Sequence, residues 1–347
     1  MGMRRTLRQG FTMIEMAIAV AASAVVVTGL YQIFTMQSRQ FVFLDQQIDL
    51  QQNLRFASDV VSRTVRMGGL GAGGSVTGAL GYGGDADSAL PSIISTDGGS
   101  GDADGITVVH MDPSLAIETS PNTQEVCGTD SLTFNSANPG AVDALETFEA
   151  GEYIMCIDFA DIGGQEAYIW EVTAVDASVG TVSIESNNGY ADYDDKCDSE
   201  DNLTPILTCS KAEVITFYVD ADDDDSGPGT PEHPVLMMDL DLDWPEDDDV
   251  PLVDDIEDFQ ITYCLDDSDC SSSSEWVDEI GEDEGDEVIM VRLSLVGRSA
   301  REDTLGRYSS QRPDLENRSG STTTDNYYRQ VLTTEVTVRN LRLYNNG

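Results

Sequence analysis

One carboxylate stands inside a long apolar run: Glu15 is the single charged residue between about Phe11 and Met36. A charge at the start of an apolar span is costly and marks a function, so Glu15 needs a partner that neutralises it. Six cysteines, Cys127, Cys156, Cys197, Cys209, Cys264 and Cys270, form an even set after that run, and no pair has the C-x-x-C spacing of a redox or zinc site. Three disulfides formed in an oxidising compartment are the simplest reading, with buried free thiols as the alternative. Sequential pairing, 127–156, 197–209 and 264–270, is the expected connectivity among those that six cysteines allow. A third feature is the acidic run from Asp220 to Gly227. Asp222, Asp224, Ser226 and Gly227 fall where the first, third, fifth and sixth residues of a calcium loop would, with alternate oxygens converging and a glycine at the sharp turn. The last acidic ligand fails, because His233 occupies its place and Glu232 is one residue short. Ca2+ is therefore a candidate ligand, set against a plain solvated acidic loop.

Catalytic patterns are missing. The chain has no G-x-S-x-G, H-E-x-x-H or P-loop, and its two histidines, His110 and His233, are far apart. With 64 acidic residues, some carboxylate pairs fall at glycosidase spacing by chance, so pairs alone indicate nothing. An enzyme is not expected.

The elements that must position Glu15 can be read from the first 66 residues. The opening carries Arg4, Arg5 and Arg8 and no acid, which keeps that end cytoplasmic. The apolar run that follows, roughly 25 residues, is long enough to span a membrane as a helix. Ala21-Ala22-Ser23-Ala24 offers small residues of the kind an ordinary secretory signal is cut at, but such a cut would discard Glu15 with the span. No proline occurs before Pro91, and Leu50, Leu54, Ala57, Val61 and Val65 recur at helical spacing. One helix from Phe11 to Arg66, about 84 Å long at its rise per residue, is predicted, apolar in its first half and amphipathic in its second.

Gly10-Phe11-Thr12-Met13-Ile14-Glu15, behind a basic leader and ahead of an apolar helix, resembles the type IV prepilin (class III) signal. The resemblance implies cleavage after Gly10 by a prepilin peptidase, N-methylation of Phe11, and a role for Glu15 in joining subunits into a filament. The chemistry is coherent: a new amine at Phe11 lies one helical turn from Glu15, and the same amine on a neighbouring subunit can neutralise that carboxylate inside an apolar bundle.

Charge is distributed unevenly over the rest. The chain totals −46, but between residues 67 and 291 only Lys196 and Lys211 are basic. Such a field repels phosphate, which argues against nucleic acid as a partner and for cations, basic surfaces or sister subunits. Residues 67–101, with twelve glycines, read as a Gly-rich linker or loop-forming joint. Beyond it, short β-type runs broken by Asp, Gly, Asn and Pro are predicted at 106–109, 153–159, 168–175, 181–184, 214–219, 235–240, 259–263, 288–296 and 331–341, with no later helix. The organisation expected is a leader at 1–10, a spine helix at 11–66, the linker at 67–101 and an acidic β-rich domain at 102–347. The fold class is α+β: a long N-terminal spine helix, membrane-spanning in its first half, packed on an antiparallel sheet domain.

The Asp104–Val108 and Gly151–Ile154 stretches and the closing strand with Arg339-Asn340-Leu341 are similar to PilW-type minor pilins. That resemblance implies a minor pilin acting in pilus assembly, initiation or at the tip. It also implies sister pilins and the inner membrane as partners, with residence in the inner membrane first and in a periplasmic or surface fibre afterwards. A J-like pseudopilin of type II secretion shares every N-terminal feature. A membrane-anchored, calcium-dependent adhesin or binding module is the alternative of another class. The basic cluster from Arg292 to Arg342 is expected to pair with acids at the surface of the same chain, the alternative being that it offsets acids across the sheet or on a neighbouring subunit.

Overall fold

In the computed structural model the described residues are 12–71, 76–78, 89–112, 116–119, 131–134, 139–158, 166–184, 207–221, 233–240, 249–265, 270–281, 284–285, 287–303, 309–338 and 340. Gly10, Phe11, Cys127, Cys197, Asp222, Asp224 and Ser226 lie outside them. The chain forms two compact units, Met1–Asp49 and Leu50–Gly347. Helix α1, Met13–Met67, supplies the first unit and enters the second.

Within the second unit the predicted stripe is the buried one: Leu50, Leu54, Ala57, Val61 and Val65 are each at most 2% exposed. They join Phe259, Ile261, Leu293, Leu295, Val336 and others in one core. Fully burying an aliphatic side chain of this size contributes about 1.5–3 kcal/mol, so this seam is the main attachment of helix to sheet. Close approach depends on Gly297: a Cβ there would lie 2.5 Å from Leu50 Cδ1 and 3.1 Å from Leu54 Cγ. Two polar contacts flank the seam, Ser58 Oγ to Thr334 Oγ1 at 2.9 Å and Asn53 Nδ2 donating to the Asp254 carbonyl at 3.3 Å.

Beyond α1, the described strands are β1 (Val76–Gly78), β2 (Ala89–Leu90), β3 (Ile93–Thr96), β4 (Gly105–Met111), β5 (Ile117–Glu118) and β6 (Ser131–Thr133). After the short helix α2 (Pro139–Leu145) come β7 (Tyr153–Asp158), β8 (Glu166–Asp176), β9 (Thr181–Ile184), β10 (Leu207–Asp220), β11 (Val235–Asp239) and β12 (Val250–Asp254). The chain closes with β13 (Ile256–Leu265), β14 (Val288–Arg298) and β15 (Arg329–Thr337). Among the described residues, β1 to β12 belong to one sheet whose main path runs β12-β11-β10-β7-β8-β1-β2, and β13-β14-β15 form a second. The pairing is antiparallel except for β1 with β8. Strand β10, fourteen residues long, is the hub and pairs with β4, β5, β7 and β11. A second core lies among β7, β8, β9 and α2, around Phe134, Leu145 and Trp170. The helix α2 was not anticipated. At seven residues it is too short to show a helical period, and its Ala141, Ala144 and Leu145 are buried by tertiary packing.

Three expectations need correction. The Gly-rich stretch contains β1, β2 and β3, and Ile93 of β3 is fully buried against β4. Pairing with a strong partner strand outweighs glycine's weak β-propensity. The sequential connectivity fails, because Cys156 is bonded to Cys209, excluding both 127–156 and 197–209; the two cysteines are directly opposed on β7 and β10, with Cα atoms 3.9 Å apart. Cys264 is bonded to Cys270. Lastly, the basic cluster is not confined to surface pairs: Arg312 and Arg318 reach the fully buried Asp258 at 3.1 and 2.6 Å, and the largely buried Arg329 holds Glu257 and Asp325. Arg292 follows the surface expectation, pairing with Glu335 at 3.0 Å while stacking on Trp276.

Candidate assembly interface

Glu15 sits in the first turn of α1 and is exposed. Thr12, immediately before the helix, holds it. The Thr12 amide and hydroxyl each donate to Glu15 Oε2 at 2.9 Å, and the Glu15 amide donates to Thr12 Oγ1 at 3.3 Å. This is a capping box, in which an N-terminal hydroxyl residue and a glutamate three positions on satisfy each other's otherwise orphaned amides. The T-x-x-E spacing is legible in the sequence, and the structure adds Thr12 to the site as the residue that holds Glu15. One carboxylate thus starts the helix and, with its remaining oxygen, faces outward.

The turns that follow present apolar side chains on every side. Ile14, Met16, Ile18, Val20, Val25, Leu30 and Phe34 are all exposed in the single chain. The few hydroxyls are satisfied within the helix: Ser23 donates to the Ala19 carbonyl and Thr28 to the Ala24 carbonyl, both at 2.8 Å, and Thr35 to the Gln32 carbonyl at 2.9 Å. Satisfying polar groups internally is what a hydrocarbon environment requires of a helix. Among the described residues, α1 is the helix long and apolar enough to cross a membrane. Its exposed apolar side chains continue past the length of one span to Phe41, Leu44 and Ile48. Such a surface can be covered by lipid or by like helices, and Glu15 is the one acid on it as far as Met36.

At its other end α1 is closed by the second unit. Gly69 and Gly71 take φ of +72° and +92°, left-handed values that favour glycine, and the chain turns there onto β4. The Gly69 amide donates to the Val109 carbonyl at 3.1 Å, and the Met111 amide to the Leu70 carbonyl at 2.8 Å. Asn340 Nδ2 lies 3.4, 3.2 and 3.3 Å from the carbonyl oxygens of Arg66, Met67 and Gly68. These include carbonyls that a helix terminus leaves without partners. No local signal in the sequence announces this contact.

Other candidates stay apart. His110 and His233 do not meet: His110 pairs with Glu213 at 3.4 Å and His233 with Asp255 at 3.0 Å. Among the described residues, no group of three His, Cys, Asp or Glu side chains is placed to hold a metal.

Comparison with known proteins bears on both ends of the chain. Residues 5–31 match the prokaryotic N-terminal methylation motif, and residues 216–340 match the family described as type IV pilus-assembly protein W, PilW. The second match runs from within β10 to the capping Asn340 and takes in the three-stranded sheet on which α1 packs. A type IV-like pilin from Thermus thermophilus is similar in structure at 11% identity and a TM-score of 0.34, over 84% of this chain and 98% of that one. None of the curated proteins matches. With the methylation motif at its start and the PilW match through its closing sheet, the chain is similar to type IV prepilins in its first span and to the PilW family over its last third.

Proposed function

We propose that this protein is a low-copy subunit of a type IV pilus, entering the fibre through α1 and acting in its initiation complex or at its tip. The observation that carries the reading is the exposed apolar first span of α1, whose one carboxylate, Glu15, is fixed at its first turn by Thr12. In this account a prepilin peptidase cuts between Gly10 and Phe11, and the new amine is methylated. Before assembly the chain is held in the inner membrane with its N-terminus cytoplasmic and its acidic domain in the periplasm. Sister pilins then replace lipid around α1, and the Phe11 amine of a neighbour neutralises Glu15 in a medium where an unpaired charge is heavily penalised. Size supports low copy number, since a chain of 347 residues less a ten-residue leader is large for a unit repeated along a thin fibre.

The test is Glu15→Ala, followed by N-terminal sequencing of the protein from membranes and from sheared surface fibres. The expected result is a variant that begins at methylated Phe11 in the membrane and is missing from the fibres. Normal incorporation of the variant sinks the role given to Glu15. Wild-type protein confined to a periplasmic fibre would assign the chain to a secretion pseudopilus instead.

A further inference from the structure

The segment between β3 and β4, residues 97–104, ties the two sheets together. From β13, the Phe259 carbonyl accepts the Asp104 amide at 2.8 Å, and the Ile261 amide donates to Asp104 Oδ2 at 2.8 Å. The other carboxyl oxygen of Asp104 accepts the Gly98 amide at 3.1 Å, folding the segment back on itself. Gln260 Nε2 donates to the Asp102 carbonyl at 3.2 Å. From the far side, the loop closed by the Ser310–Asp325 bridge adds Arg318 Nη2 to the Gly101 carbonyl at 2.8 Å and Asn317 Nδ2 to Asp97 Oδ1 at 2.9 Å. The segment is a strap held on both sides.

Its charges are not balanced. Asp258 of β13, beside the strap, has two guanidinium partners, Arg312 and Arg318. Asp104 is 3% exposed and has no cationic partner among the described residues. The titratable groups that bear on it are Asp97 from the strap and Asp258 and the buried Tyr263 from β13, while the nearby guanidiniums of the 310–325 loop are taken by Asp258.

We propose that Asp104 makes this strap a pH-dependent clasp between the two sheets, closed while its carboxyl is protonated and loosened once it ionises. Burial is the larger cause, and the neighbouring Asp97 and Asp258 add to it; together they outweigh the two amide hydrogen bonds and push Asp104 up to about 7. The open strap exposes the same carboxyl to water, where it ionises in the ordinary range near 4. The closed form therefore holds its proton over an interval in which the open form has lost it. Opening must become more frequent as pH rises from about 4 to about 7, by up to about tenfold per unit, and level off above.

The experiment is hydrogen exchange read by mass spectrometry on the full mature chain in detergent micelles between pH 5 and 8, corrected for the intrinsic exchange rate. A peptide covering 97–104 is compared with one covering β7. The expected result is an opening frequency in the strap that rises about tenfold or more from pH 5 to 7, changes little from 7 to 8, and is not followed by β7. Asp104→Asn should remove the rise. A strap that tracks β7 at every pH overturns the proposal, as does an equal rise in the variant. If the variant does not fold, the wild-type profile alone decides. The outcome is independent of whether Glu15 directs assembly.

Discussion

The side-chain amide of Asn340 lies 3.2 Å from the carbonyl oxygen of Met67, the last residue of α1, although 273 positions separate them in the chain. The contact brings the end of the PilW-matched region onto the end of the spine. A hydrogen bond of this kind contributes about 1 kcal/mol net. Asn340→Ala should lower stability by about that amount in chemical denaturation. Asn340→Asp should lower it further, because a carboxylate would face the negative end of the helix dipole. An aspartate variant as stable as wild type would show that the amide does not cap the helix.

The Cys156–Cys209 bond joins β7 to β10 at the centre of the large sheet, and both cysteines are fully buried. Peptide mapping of the unreduced protein should recover Cys156 linked to Cys209, and a 127–156 linkage would contradict the strand register. Replacing both cysteines by alanine should cost about 2–4 kcal/mol, since the bond closes a long loop of the unfolded chain.

Gly297 is the point of closest approach between β14 and α1. Gly297→Val should destabilise the protein by about 1–3 kcal/mol, through overpacking against Leu50 and Leu54. Phe56→Ala, on the exposed side of the same helix, should leave the monomer within about 0.5 kcal/mol of wild type. The two thermal shifts, measured side by side, separate the face of α1 that holds the head from the face left for other contacts.

His110 is buried on β4, and neither ring nitrogen makes a hydrogen bond among the described residues. Burial lowers its pKa, opposed by Glu213 at 3.4 Å across the pair with β10. The folded state therefore keeps the ring neutral at a pH where the unfolded chain already takes up a proton. The stability it contributes is present above the ordinary imidazole range near 6.5 and is lost as pH falls below it. Unfolding midpoints between pH 7.5 and 5 should show His110→Gln less sensitive to acid than wild type. Equal slopes would mean that His110 titrates normally in the fold.

Much of this protein is determined over short distances in its sequence. The apolar span with its lone Glu15 and the stripe from Leu50 to Val65 depend on neighbours a few residues apart, so they are legible without a fold. Strand β9, with its period of two and glycine at its start, was predicted with its observed bounds. What the tertiary structure decided are the relationships between distant segments. The register of β7 on β10 chose Cys209 for Cys156. Burial of Asp258 drew in Arg312 and Arg318, which composition alone left at the surface. The glycine-rich stretch became strand where β4 and β8 offered an edge to pair with, and Asn340 acquired its role when the chain's end was brought to the end of its spine. The reason is physical: backbone preference and hydrophobic period act within a few residues, whereas pairing register, counter-charges and caps depend on which distant groups the packed core places within bonding distance.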